Sequence, residues 1–370
     1  MKRDKRLYLS EKLYQKTIWE KVNQVAQGGE LQAPFVVELD PTTYCDLTCP
    51  ECISGHLLNK SRFTTERLVN LVQEFIDIGV KAVILIGGGE PLTHPANSRM
   101  LQILGENKIA IGVTTNGTLI DRYLNLLSEY ANWTRVSVDA GTYETYGVFR
   151  PHKSRRNVFN KVIDNMKLFA KHKKHCLGYS YLLMSRFDSN DNVIATNYHE
   201  IFRAGLLARD IGCDYFEIKP MYDMRHFLIP QPKEILETLR IQIEKLQEIE
   251  SEDFQIIYPS TLLSVQYQEN NIEKKEYERC LISELRTLIT PEGVYICPYY
   301  RGASKKNFGD PVTNSLRELW MGEKRKVVMN TTRPSDECRF HCVRHKSNLE
   351  LISIGNGKHR EIIEDYDLFI

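Results

Sequence analysis

Phe35-Val36-Val37-Glu38-Leu39-Asp40-Pro41-Thr42-Thr43-Tyr44-Cys45-Asp46-Leu47-Thr48-Cys49-Pro50-Glu51-Cys52 joins an apolar, strand-like run to three cysteines spaced C-x3-C-x2-C. Three thiolates this close in sequence converge on one metal centre. They are one fewer than the four ligands of a closed tetrahedral zinc site. A cubane iron–sulfur cluster held by three cysteines keeps one iron open for a non-protein ligand. A zinc knuckle is the competing reading, because short cysteine spacings often bind zinc.

The pattern downstream is that of an α/β chain. Thr64 to Ile78 reads as a helix, followed by the apolar run Ala82-Val83-Ile84-Leu85-Ile86 and then Gly87-Gly88-Gly89-Glu90-Pro91-Leu92. A continuous apolar run of this length is a strand buried on both faces. Glycines after it let the backbone approach a ligand closely, and Glu90 is placed to accept hydrogen bonds from an ammonium group. Strands are predicted at 35–39, 82–86, 109–113, 134–139, 178–184 and 214–219, alternating with helices from about Pro34 to Ile229. Such alternation argues a parallel sheet. Several predicted strands end in small polar residues: Thr114-Thr115-Asn116-Gly117, and Ser137-Val138-Asp139-Ala140-Gly141. Ligand sites of α/β barrels gather at these strand ends.

Cys45, Cys49 and Cys52 after a first strand, with Gly88, Gly89 and Glu90 after the second, resemble the signature of the radical S-adenosylmethionine (SAM) enzymes. The resemblance implies a partial (β/α)6 TIM-like barrel. It implies a SAM-binding [4Fe–4S] cluster on Cys45, Cys49 and Cys52, and reductive cleavage of SAM to a 5′-deoxyadenosyl radical. It assigns SAM contacts to Gly88, Gly89, Glu90, Thr115, Asn116, Ser137, Asp139 and Arg150, with Glu90 on the amino group and Arg150 on the carboxylate. A guanidinium fork suits a carboxylate. Glu51 departs from the pattern, since the residue before the last cysteine is commonly aromatic in the family.

A second set follows: Cys280, Cys297 after the hairpin-like Thr287-Leu288-Ile289-Thr290-Pro291-Glu292-Gly293-Val294-Tyr295-Ile296, then Cys338 and Cys342. Four thiolates from separated segments complete either a [4Fe–4S] or a zinc site. The layout, with Asn307-Phe308-Gly309-Asp310 and Ser315-Leu316-Arg317-Glu318-Leu319-Trp320, resembles the small α+β twitch domain, a shortened SPASM domain, of the same family. That resemblance implies a second [4Fe–4S] cluster. Cys176 and Cys213 flank predicted strands at their beginnings and read as inert buried thiols.

The expected organisation is an N-terminal helical extension over 1–33, a radical SAM core over 34–231, a linker helix and connector over 232–274, the auxiliary-cluster domain over 275–346 and a tail over 347–370. Within the extension, 9–26 reads as one amphipathic helix with Ser10 as N-cap and a stripe of Tyr14, Ile18, Val22 and Val25, stopped by Gly28-Gly29. Forty-nine basic against 48 acidic residues, a net charge of +1, argue against a nucleic-acid partner. No apolar run reaches the ~20 residues of a membrane helix, and the charged start Met1-Lys2-Arg3-Asp4-Lys5-Arg6 is unlike a secretion signal, so the expectation is a cytoplasmic chain.

A closed four-cysteine cluster has no iron for substrate and suits electron acceptance. The expected reaction is therefore oxidation of an alcohol carbon on a small carbohydrate-like molecule: a sugar, nucleotide sugar or aminocyclitol. The twitch layout and Cys342 to Leu351 also resemble aminocyclitol- and sugar-acting family members. Epimerisation, elimination, peptide modification and a non-catalytic metal protein are the rival readings. The family implies a flavodoxin- or ferredoxin-type electron donor. Lys219, Tyr222 and Asp223, just at or past the sixth strand, are the candidate catalytic residues, with Asp223 or Lys219 taking a hydroxyl proton.

Overall fold

Apolar runs become strands almost where the pattern puts them. In chain order they are β1 Val36–Leu39, β2 Ala82–Leu85, β3 Ala110–Thr115, β4 Ala131–Ser137, β5 Cys176–Leu183, β6 Ser185–Phe187, β7 Val193–Thr196, β8 Tyr215–Pro220, β9 Gln255–Ile257, β10 Arg286–Thr290, β11 Gly293–Tyr295 and β12 Asn307–Gly309. The computed structural model describes residues 9–190, 192–221, 231–258, 262, 274–358 and 360–370. The chain is α/β with a parallel sheet core. It divides into two compact units: 1–44, 59–112 and 273–370 form one, and 45–58 with 113–272 form the other.

In the first unit β1 pairs in parallel with β2, in register Val36 to Ala82, and on its other side with β10, in register Val36 to Arg286. All four residues of β1 and of β2 are buried, as strands covered on both faces must be. The β10–β11 pair is an antiparallel hairpin turning at Pro291-Glu292, and β12 adds antiparallel to β11. Helix α1 is Lys16–Ala26 and α2 is Thr65–Ile78. Thr64 caps α2 by accepting from Arg67 N–H, and Gly79, at φ 84°, closes it in the left-handed conformation that glycine adopts without strain.

The single helix expected over 9–26 is instead a 3-10 turn, Glu11–Tyr14, followed by α1. Gln15 is extended between them, and Ser10 makes no side-chain cap. The break has a long-range cause. Gln15 Nε2 donates to Asp367 O at 2.7 Å, Gln15 Oε1 accepts from Tyr366 N–H at 2.7 Å, and Lys16 N–H donates to Ile363 O at 3.1 Å. Ile363 N–H also donates to Tyr14 O at 2.9 Å, so the C-terminal segment takes up Lys16 N–H and Tyr14 O, backbone groups that a continuous helix would pair internally, and holds the Gln15 side chain beside them.

In the second unit β4, β5, β8 and β9 pair in parallel in that order. One face is apolar: Val136, Tyr179, Tyr181, Phe216 and Ile218 are fully buried, with the Phe216 ring 5.5 Å from Tyr179 and 5.6 Å from Tyr181. The alternating positions Arg135, Ser137, Glu217 and Lys219 are polar and partly exposed. Period-two alternation of this kind separates a packed face from an open one. Helices of this unit are Leu124–Tyr130, Tyr143–Phe149, Phe159–His172, Ile201–Ile211 and Lys233–Gln247. Among the described residues no helix is long and apolar enough to cross a membrane.

Candidate metal centres and the residues around them

Cys45, Cys49 and Cys52 lie on one loop of the second unit, each half-buried. Cys52 N–H donates to Cys49 O at 3.2 Å, a turn that folds the last two thiols toward one another. Asn116, from the turn after β3, anchors the loop. Its Nδ2 donates to Asp46 Oδ1 at 2.6 Å and stands 4.0 Å from Cys45 Sγ. Thr118 Oγ1 donates to the other oxygen of Asp46 at 2.6 Å. Glu51 has a defined partner: Arg186 on β6 forms a two-pronged ion pair with it, Nη2 to Oε2 at 2.9 Å, and also donates to Val148 O at 2.9 Å. The guanidinium lies 4.9 Å from the Phe149 ring centroid.

Asp139 and Arg150 meet each other. Arg150 Nε donates to Asp139 Oδ2 at 2.7 Å, while Asp139 Oδ1 accepts from Leu182 N–H at 2.7 Å. Asp139 adopts φ 57°, in the left-handed region. Burial pushes the Cys49 thiol up, and the nearby Arg150 charge opposes it. The phenol of Tyr146, fully buried, sits in the same field, pushed up by burial and opposed by Arg150. Thr115 Oγ1 accepts from Gly117 N–H at 3.1 Å and shapes the turn. Three part-exposed thiols on one loop beside a guanidinium fit a three-cysteine iron–sulfur cluster, because the ligands must be thiolates and a cation favours that form.

Lys219 Nζ lies 2.8 Å from Glu217 Oε2 and 3.2 Å from Ser180 Oγ. Arg135 shares the same carboxylate at 3.2 Å. Tyr222 and Asp223 lie outside the described residues. Cys176 and Cys213 are buried, and burial pushes the Cys213 thiol well up, as suits an inert thiol.

The glycine run belongs to the first unit. A Cβ on Gly89 would stand 2.3 Å from Tyr44 O and one on Gly88 2.8 Å from Asp40 Oδ2, so both positions exclude a side chain. Glu90 is buried, its N–H donates to Tyr44 O at 2.8 Å, and its Oε1 accepts from Leu92 N–H at 3.1 Å. Asp40, fully buried, is held by Arg301 through Nε at 2.5 Å and Nη2 at 3.1 Å.

The second cysteine set lies wholly in the first unit. Cys297 feels Cys280, Cys342 and Cys338, and burial pushes it well up. Burial likewise pushes Cys342 up to about 12. Cys280 Sγ accepts from Ser283 Oγ at 3.2 Å and from Asn348 Nδ2 at 3.6 Å, and the Tyr300 hydroxyl stands 3.5 Å from Cys338 Sγ. Asn348 lies on the helix His345–Gly355, so part of the expected tail touches a thiol of this set. Four thiols within electrostatic reach fit a four-cysteine centre. Among the described residues no group of three or more His, Cys, Asp or Glu side chains is drawn together closely enough to hold a metal ion, at this set or at Cys45, Cys49 and Cys52.

Sequence reasoning singled out the cysteines, the glycine run, Glu90, Asn116, Asp139 and Arg150. It missed Asp40, Asp46, Thr118, Arg186 and Arg301. Only Thr118 carried a local signal, as the continuation of the Thr-Asn-Gly turn.

Residues 39–190 match the radical SAM superfamily. The chain is 24% identical over 202 residues to the AdoMet-dependent heme synthase of Methanosarcina barkeri, covering 54% of this chain and 52% of that protein. It is 29% identical over 135 residues to the GTP 3′,8-cyclase of a Synechocystis species, covering 35% and 40%. The chain spans about half, or less, of the length of these curated relatives. Its fold is similar to that of Streptococcus suis SuiB, at a TM-score of 0.62 and 16% identity over 95% of this chain and 80% of that one. It is also similar to anSMEcpe with bound AdoMet and a peptide, at 0.56 and 14% over 87% and 99%. At these identities the two structures speak for the fold alone.

Proposed function

We propose that the chain is a radical SAM enzyme, a two-cluster oxidoreductase acting on a small carbohydrate-like molecule; the match of residues 39–190 to the radical SAM superfamily supports the first part of this reading. The observation that carries the radical SAM part is the loop of Cys45, Cys49 and Cys52, braced by Asn116, Thr118 and Arg186 and set beside Arg150. When bound, SAM and a [4Fe–4S] cluster supply a 5′-deoxyadenosyl radical for hydrogen abstraction, and a second [4Fe–4S] cluster supplies an electron acceptor. In this reading Cys45, Cys49 and Cys52 hold the first cluster, and Cys280, Cys297, Cys338 and Cys342 the second.

The family resemblance assigns SAM contacts to Gly88, Gly89 and Glu90 of the first unit, with Glu90 accepting from the amino group, and to Thr115, Asn116 and Ser137 of the second. Arg150, steadied by Asp139, faces the SAM carboxylate. Lys219, on the open face of β8, contacts the substrate. Asp223, three residues past β8, takes the hydroxyl proton when the alcohol carbon is oxidised. Support for oxidation over epimerisation comes from the closed four-thiol set, which offers an electron sink, and from Cys176 and Cys213. Both are buried at strand beginnings, away from where a hydrogen-atom donor would serve.

The test is anaerobic incubation of reconstituted protein with SAM and dithionite. 5′-Deoxyadenosine should form, and Cys45→Ala should abolish it while about four irons remain on the second set. Protein holding about eight irons that makes none would overturn the reading. With substrate, Cys297→Ala combined with Cys342→Ala should yield 5′-deoxyadenosine without matching ketone. Product of unchanged mass in water, and one unit heavier in deuterium oxide, would replace oxidation by epimerisation.

A further inference from the structure

The helix Tyr143–Phe149 of the second unit carries a buried donor that is left unpaired. Tyr146 is fully buried, and its hydroxyl is enclosed without a hydrogen bond. The residue is held in place. Its ring packs 5.5 Å from Phe159, its N–H donates to Thr142 O at 3.1 Å, and its carbonyl accepts from Arg150 N–H at 2.8 Å. A buried hydroxyl left unpaired costs its desolvation with nothing in return, so phenylalanine would serve packing better. The helix ends against the cysteine loop. Thr48 N–H donates to Pro151 O at 2.8 Å, Lys153 N–H donates to Asp46 O at 2.9 Å, and Leu47 forms an antiparallel bridge with His152. Residues 46–48 are thus stitched to the residues that follow Arg150, and Cys49 is next along the loop.

The charged groups that bear on the phenol are Arg150, Cys49, Asp46 and Asp139. Both carboxylates are engaged elsewhere: Asp139 by Arg150 and Leu182 N–H, Asp46 by Asn116 and Thr118. Arg150 offers only donors. Cys49 is the remaining neighbour, and a metal-bound cysteine is a thiolate, which accepts hydrogen bonds. We infer that the Tyr146 hydroxyl donates a hydrogen bond to the Cys49 sulfur when that residue holds the first [4Fe–4S] cluster. The inference rests on the proposed radical SAM reading and deepens it, by adding a residue that sets the cluster's reduction potential. A hydrogen bond donated to a cluster sulfur favours the reduced form, which carries one more negative charge, and so raises the potential. Tyr146 then eases the entry of the electron that SAM cleavage consumes.

Tyr146→Phe keeps the ring and removes only the hydroxyl. Reconstituted wild type and variant are titrated with reductant without SAM and followed by electron paramagnetic resonance. The first cluster's signal is the one that Cys45→Ala removes. Its midpoint should fall in Tyr146→Phe by roughly tenfold in the one-electron equilibrium, about 59 mV. In protein freed of iron, the variant should unfold at the same or a higher temperature, because it loses an unpaired donor. A merely structural hydroxyl, partnered without metal, predicts the reverse pair: a lower unfolding temperature and an unchanged midpoint. Either of those results overturns the inference. So does a shift that appears only once SAM is added, which would give the hydroxyl to SAM. A wild type with no signal that Cys45→Ala removes would overturn the radical SAM reading and the inference together, whereas that signal with an unchanged midpoint overturns the inference alone.

Discussion

Replacing Arg301 with methionine asks what holds the glycine run in place. Asp40 is fully buried, its oxygens lie 2.5 and 3.1 Å from Arg301 nitrogens, and a Cβ on Gly88 would stand 2.8 Å from the same carboxylate. Methionine keeps much of the side-chain stem and removes the charge. Taking one partner from a buried pair costs about 3–5 kcal/mol, because the other charge stays buried and unpaired. For a chain of this size that is a fall in Tm of about 4–6 °C. Burial already pushes the Asp40 carboxyl up, against the pull of Arg301 and of the Gly88 N–H. Without Arg301 it rises further. A carboxyl whose folded pKa lies above its unfolded one favours folding in its protonated form. Its penalty is therefore full at high pH and shrinks as pH falls through the folded pKa. Calorimetry between about pH 5 and pH 8 should show the larger deficit at pH 8. Adding Asp40→Asn removes the stranded charge, keeps an acceptor for Gly88, and should restore most of the loss. A fall below about 2 °C, or no recovery on adding Asp40→Asn, would refute the account.

Two other substitutions address the proposed cofactor residues. Glu90→Ala removes a charge-assisted contact of about 1.5–3 kcal/mol to the SAM amino group, so SAM affinity should fall roughly tenfold or more with iron content intact; calorimetry showing unchanged SAM binding would remove Glu90 from the site. Arg186→Leu leaves Glu51 without its fork between Cys49 and Cys52, in a pair whose arginine side chain keeps 27% of its surface exposed, so the loss is discounted to about 1–2 kcal/mol. Iron on the first set should then be stripped by a chelator several-fold faster, and an unchanged rate would show that the ion pair does not brace the loop.

Local pattern by itself determined where most strands and helices form and marked the cysteines, the glycine run and the polar strand ends as candidates. Apolar runs, the Thr64 cap, the glycines and the cysteine spacings each act over a few residues, so a single sequence displays them. The hairpin at Pro291-Glu292 was legible for the same reason, while the helix begun by Ser315, which has a complete capping box with Glu318, was expected from the family resemblance. Only the tertiary structure decided the pairings between distant segments. Nothing near β1 announces that β10 lies beside it, and nothing in Cys-Pro-Glu-Cys names Arg186 as the partner of Glu51. Charged side chains have many complementary candidates along a chain with 49 basic and 48 acidic residues, and burial selects among them. The same holds for Asp40 with Arg301, Asp139 with Arg150, and the carboxylate that Lys219 and Arg135 share. The helix break at Gln15 shows the reverse case, in which a sound local preference yields to hydrogen bonds from residues some 350 positions away.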